Sequence, residues 1–149
     1  MKRLFIFCLI ITILLPCLAL GEESPIGNTK TSKGDVVVIR SGKQSPLSIG
    51  DKLFQNDTIR TGTASSVGII FKDNTILSLG PDSEILIDKY VFAPEKGFFS
   101  MIARMAKGTA SYLSGIIGKQ SPESVKFQTP DATIGIRGTH FLVKVDCCR

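Results

Sequence analysis

The sequence contains no tryptophan and a single histidine, and aromatic residues make up 7% of it. A centre built from several imidazoles is therefore excluded. Of the four cysteines, Cys8 and Cys17 fall within the first 20 residues, while Cys147 and Cys148 are adjacent near the end. Neighbouring cysteines cannot join distant segments, so the fold must stand on a hydrophobic core and not on an internal disulfide framework. Beyond the first 21 residues the basic and acidic residues are interspersed with no run of like charges, which argues against a nucleic-acid footprint, since that needs a clustered basic patch. Heptads, low-complexity tracts, a nucleophile elbow, a phosphate-cradling glycine loop and paired catalytic carboxylates are also missing.

The one long apolar run lies at the start. Met1-Lys2-Arg3 is positive, Leu4 to Leu15 is apolar apart from Thr12, Pro16 breaks the run, and Ala19-Leu20-Gly21 supplies small residues before Glu22. This is the three-part pattern of a secretory leader, read here as residues 1–21, with an uncleaved anchor as the alternative. Lipid attachment at Cys17 needs a small residue before it, and Pro16 stands there, so Cys17 reads as an apolar residue of the leader. Removal of the leader leaves 128 residues and lowers the formal charge from +5 to +3. That length buries a core without staples.

Residues 22–33 are polar and rich in turn formers and read as a flexible lead-in. From Gly34 the texture changes to short β-branched runs punctuated by Gly, Asp and Asn. Val36 to Ile39 reads as the first strand, Ser41 to Pro46 as a loop, and Gln55-Asn56-Asp57 as a tight turn. Val67, Ile69 and Phe71, then Ile76, Leu77 and Leu79, flank Asp73-Asn74 and predict a hairpin with a two-residue turn. Ile85, Ile87 and Tyr90 to Phe92 predict another strand. Residues 98–106 fit either a strand or a short helix, because Phe98, Met101, Ile102 and Met105 keep helical spacing while Met101, Ala103 and Met105 alternate. Ile116 to Glu123 reads as a loop or one helical turn. Turn signals about every ten residues favour many short strands over βαβ units.

The most informative stretch is Thr129 to Phe141. Ile134 and Ile136 hold even positions, whereas Phe141, Val143 and Val145 hold odd ones, and a straight strand cannot place both sets on one face. One extra residue near Gly138, taken up as a glycine bulge, would realign them. Pro130 to Val143, with its TP, IGIRGT and F-x-V pieces, resembles the ending of the FecR domain. Leu47-Ser48-Ile49-Gly50-Asp51, Asp57 to Gly62 and Phe71 to Leu77 agree in order and spacing, with Asn74 standing where the family usually has Gly. The resemblance covers roughly residues 34–146, leaving 147–149 as a tail.

This resemblance implies an extracytoplasmic all-β domain with many short strands, in a compact sandwich- or solenoid-like arrangement with room for one short helix. The family's best-known members relay a signal from an outer-membrane transporter to a cytoplasmic sigma factor. Since only a leader precedes the domain, the leading expectation is an exported, periplasmic or secreted, non-enzymatic binding module of the bacterial envelope. A periplasmic regulatory component is the alternative, and an envelope hydrolase a distant third. The expected partner is an envelope protein or polysaccharide, not nucleic acid, with the membrane only as a neighbour.

Pro130, Gly135, Arg137, Gly138, Thr139 and Phe141 form the structural signature. Arg137 is expected to hold the bulge through an ion pair or backbone contact, since its planar fork satisfies several acceptors. Ser111, Ser114 and Asp131 are the residues a hydrolytic triad around His140 would draw on, but their spacing does not support one. His140 with Cys147 and Cys148 is a poor metal set, because structural zinc sites favour two to four residues between cysteines. No catalytic, cofactor or metal residue is assigned. Cys147 and Cys148 read as an oxidised pair or as the link of a disulfide-bonded dimer. The Phe98 to Ile102 cluster reads as core packing in preference to a partner surface. N-terminal sequencing of the exported form should begin at Glu22; a retained leader in the membrane fraction would show an anchor instead.

Overall fold

The computed structural model describes residues 23–146. The strands are β1 (Gly27–Lys33), β2 (Val36–Arg40), β3 (Lys43–Pro46), β4 (Lys52–Leu53), β5 (Thr58–Thr61), β6 (Ser66–Phe71), β7 (Ile76–Leu79), β8 (Glu84–Ala93), β9 (Phe98–Leu113), β10 (Val125–Gln128), β11 (Thr133–Gly135) and β12 (His140–Val145). One short helix, α1 (Ile116–Gln120), lies between β9 and β10. The all-β class with one short helix is as expected.

The strands pair into one sheet that folds over on itself. In one layer β4, β1, β6 and β7 lead to the C-terminal half of β9, with β12 beyond it. In the other, β3, β2, β5 and β8 lead to the N-terminal half of β9, with β10 and β11 beyond. Every pairing is antiparallel except β9 with β10. The core lies between the layers and is filled by alternate residues of the longer strands, among them Val67, Ile69 and Phe71 of β6, Ile85 and Ile87 of β8, and Met101, Ala103 and Met105 of β9. Alternation therefore decides residues 98–106 as strand, and Met101 and Met105 point inward with Ala103 between them.

Because β9 serves both layers, it must turn between them, and it does so at Gly108 (φ +95°). A Cβ there would lie 2.6 Å from the Ser83 Cβ, so the chain has room for nothing larger than glycine. The neighbouring crossings, at 34–35, 62–65 and 80–83, stack along the same side and are stitched by short hydroxyl side chains. Thr61 Oγ1 donates to the Gly80 carbonyl (2.6 Å), Ser83 N donates to Thr61 Oγ1 (2.9 Å), and Thr109 N donates to Ser83 Oγ (2.9 Å). Asp35 N donates to Ser65 Oγ (2.8 Å). Small hydroxyls satisfy the backbone groups that the ladders leave unpaired at each corner.

Three expectations are corrected. The lead-in at 22–33 is not a flexible segment from Ile26 onward, because β1 pairs with β6 and β4 and Ile26 enters the core. Its polar pattern hid the strand, whose backbone supplies most of the attachment. The loop at 41–46 is the turn and second strand of a hairpin, with Ser41 and Gly42 both at positive φ as a two-residue turn of that hand requires. The β6–β7 hairpin turns through three residues, since Asn74 N donates to the Phe71 carbonyl and Phe71 N to the Thr75 carbonyl. Asn74 sits at φ 64°, the left-handed position that Asn tolerates. The leader and Cys147 to Arg149 lie outside the described residues.

Among the described residues two carboxylates, Asp57 and Asp73, are fully buried. Asp57 receives a two-pronged contact from Arg40, Nε to Oδ1 at 2.7 Å and Nη2 to Oδ2 at 2.8 Å, and also accepts from Phe54 N. This hydrogen bond raises the Arg40 pKa further above its ordinary value, with burial acting against it. Asp73 makes no ion pair among the described residues and is held by donors alone. Thr75 Oγ1 (2.7 Å), Tyr90 hydroxyl (2.9 Å), Ile117 N (3.2 Å) and Thr75 N (3.3 Å) all donate to its carboxylate. Burial first, and then the Asp73 charge, push the Tyr90 pKa well above the usual tyrosine range, so Tyr90 stays a neutral donor. Asp73→Ala strands several of these donors, each at about 1–3 kcal/mol. We expect Asp73→Ala to lose about 3–5 kcal/mol in urea titration and Tyr90→Phe about 1–3 kcal/mol. Equal, small losses for both would show that the carboxylate is not the anchor.

Candidate interaction site at the signature crossover

The signature begins at the β10–β11 turn. Pro130 is exposed within the Thr129 to Ala132 turn, where Thr129 N donates to the Ala132 carbonyl (2.8 Å) and Ala132 N to Thr129 Oγ1 (3.1 Å). Proline suits such a turn because its φ is already set. β11 then pairs with β10 in one layer, whereas β12 pairs with β9 in the other. The phase change in the sequence is real, but its cause is different from the one expected. No bulge lies between Ile134 and Val145: residues 136–139 cross from layer to layer, and β11 and β12 each keep their own alternation.

Ile136 anchors the start of the crossover in the core. Phe141 anchors its end, stacked on Tyr112 with centroids 5.0 Å apart and set edge-on to Phe127 at 5.5 Å. Phe127 belongs to one layer and Tyr112 and Phe141 to the other, so this trio bonds the layers where the crossover bridges them. Between the anchors the backbone is pinned by Ser114, whose hydroxyl donates to the Gly138 carbonyl (3.1 Å) and whose N donates to the Thr139 carbonyl (2.7 Å). Gly138 has φ +138°, a region that L side chains rarely adopt, and open space around its missing Cβ. Conformation and not crowding selects glycine there. Burial pushes up the pKa of the Tyr112 hydroxyl, against the nearby Thr75 and Ser114 hydroxyls, though none of these makes a well-formed bond to it.

Arg137 does not hold a bulge. Its side chain is exposed, and it makes no ion pair or hydrogen bond among the described residues. Thr139 and His140 are exposed next to it. Gly135 is also exposed, with an ordinary φ and nothing within 4 Å of a Cβ, so the structure gives no reason for glycine there.

His140 Nε2 lies 3.0 Å from Ser111 Oγ, a contact that spacing alone did not show. Cross-strand register brings it about, since Leu142 pairs with Ser111 and His140 is the next outward residue. Ser114 is engaged with the crossover backbone, and Asp131 lies at the turn of the opposite layer; neither joins the pair. No partner holds the second imidazole nitrogen among the described residues, so the orienting member of a triad is not in place. Nor do three or more His, Cys, Asp or Glu side chains converge as metal ligands among these residues. The Phe98 to Ile102 cluster is divided: Met101 is core, Phe99 packs against Phe92, and Phe98 is exposed at 65%.

The two glycines separate conformation from composition. Gly138→Ala should cost about 1–3 kcal/mol for its backbone conformation. Gly135→Ala should stay within about 0.5 kcal/mol. Urea titration of both variants makes the comparison, and equal losses would show that φ at 138 does not carry the requirement.

No curated protein and no solved structure matches this chain significantly. Among the described residues, no helix is long and apolar enough to cross a membrane. The family model described as FecR protein matches residues 57–147, from the buried Asp57 through the crossover to the end of β12 and beyond, which is more than half of the sequence. On that match the chain belongs to the FecR protein family.

Proposed function

We propose that the exported chain is a regulatory module of the bacterial envelope that acts by contact with a partner protein and not by catalysis. Family membership supports regulation over the more general reading of a passive envelope-binding module. The observation that carries the reading is the crossover itself. Arg137 stands exposed on a segment anchored by Ile136, Phe141 and Ser114, with no intramolecular acceptor among the described residues. A rigid backbone that presents an unengaged guanidinium suits recognition of a carboxylate on a partner, because little ordering is left to do on binding. The periplasm is the proposed compartment, and the leader is the feature that supports it.

The test compares a deletion strain, the wild type and an Arg137→Glu strain by transcript profiling. Deletion should change a defined set of transcripts severalfold, and Arg137→Glu should reproduce that change. The purified variant should keep its stability within about 0.5 kcal/mol, as expected for an exposed side chain. Unchanged transcription on deletion would overturn the regulatory reading. Normal regulation by Arg137→Glu would remove the crossover from the contact.

A further inference from the structure

Strand edges carry unpaired backbone groups, and proteins commonly blunt them. β3 is exposed along its length and carries Lys43 and Pro46; β4 has two residues and β11 three. β12 is different. It has six residues and no proline, and among the described residues only β9 pairs with it. Ser114 N donates to the Thr139 carbonyl, and on the far side of β9 Gly80 N donates to the Thr109 carbonyl. Together these fix the alternation: residues 139, 141, 143 and 145 turn their backbone groups to β9, so those of His140, Leu142 and Lys144 point away from the sheet. The same three side chains lie on the outer face. Leu142 is 74% exposed, the most exposed large apolar residue of the described chain, and Leu113 and Ile76 lie on the same face at 42% and 39%.

We propose that the β12 edge pairs with the β12 edge of a second copy of this chain, antiparallel about a two-fold axis at Leu142. A two-fold axis makes a strand meet itself reversed, so an isologous edge must be complementary to its own mirror order. The axis can pass through an outward residue or through the inward residue between two of them. Centring on 141 or 143 sets Leu142 against His140 or Lys144 and leaves the third outward residue without a partner in β12. Three registers centre on an outward residue. Centring on Lys144 sets two lysines opposite each other, and centring on His140 leaves Lys144 unpaired. Centring on Leu142 uses all three residues: Leu142 meets Leu142, and each His140 faces the other copy's Lys144. Lys144 holds Asp146 at 3.1 Å in an exposed pair, which lessens its charge without removing it, so Lys144 stands more easily opposite His140 than opposite a second Lys144. The outer layer then runs without a break through both copies. The contact is three residues deep on each side, at the low end of interface sizes, so the dimer is weak and appears with rising concentration. This inference rests on the edge alone and is independent of the regulatory reading.

The test uses the exported chain with Cys147→Ser and Cys148→Ser, so that no disulfide contributes. Sedimentation from about 10 μM to about 1 mM should show a rising dimer fraction. Leu142→Lys should weaken association at least about tenfold, with an unchanged circular dichroism spectrum and melting point. Leu142→Glu should do the same, and mixing the Lys and Glu variants should restore association, because only this register sets residue 142 against itself. Should either charge disturb the fold, Leu142→Pro offers the same comparison, since the lost N–H points away from β9. A monomer throughout the range, or a dimer indifferent to position 142, overturns the proposal. Failure of the mixed pair to associate overturns the register.

Discussion

A carboxylate taken out of water without a cation beside it is tolerated only where donors surround it. Asp73 satisfies that condition with groups from three parts of the chain: Thr75 of its own turn, Tyr90 of β8 and Ile117 at the start of α1. Its backbone takes part as well, since the Asp73 carbonyl accepts from Ile116 N at 2.7 Å and its N donates to the Tyr90 hydroxyl at 3.0 Å. Thr75 Oγ1 extends the set by accepting from Gly115 N. The β6–β7 turn, the long β8–β9 hairpin and the exit from β9 are thus fixed relative to one another by one side chain. The crossover depends on this arrangement indirectly, because Ser114, which pins it, adjoins Gly115.

A second constraint is that β9 belongs to both layers. Its sixteen residues turn at Gly108, which lets one strand pair within both sheets. The crossings that follow its path need donors and acceptors where the ladders stop. Ser65, Thr61, Ser83 and Thr109 provide them without demanding volume. The apolar core and the hydroxyl seam therefore solve different problems: one drives the layers together, and the other completes the backbone at their corners.

Much of this was legible in the residues. Alternation located β2 and β6 to β8 and, once burial is known, settled β9 in favour of strand; Asn74 and Gly138 carried recognisable left-handed or glycine-only conformations. Other parts were hidden for physical reasons. β1 and β3 attach mainly through their backbones, so their side chains show little apolar alternation. The phase shift between Ile136 and Phe141 has two solutions, a bulge within one strand or a passage between two, and spacing does not distinguish them. The burial of Asp73 gave no signal, because an Asp-Asn turn is ordinarily wet. Nor did spacing reveal that Ser111 and His140 would meet across a ladder 29 residues apart.

The signature thus divides by what each residue does for the backbone. Gly138, Phe141 and Ile136 determine where the crossover runs, whereas Arg137, Thr139 and His140 determine what it displays. Replacing a displayed side chain on a pinned backbone comes at small cost to stability, since neither the core nor the Ser114 bonds depend on it. Replacing a pinning residue changes the path and the display at once. If the crossover is the contact surface proposed above, its backbone is already ordered before binding, so side-chain chemistry at positions 137 to 140, not loop folding, would set the selectivity of the encounter.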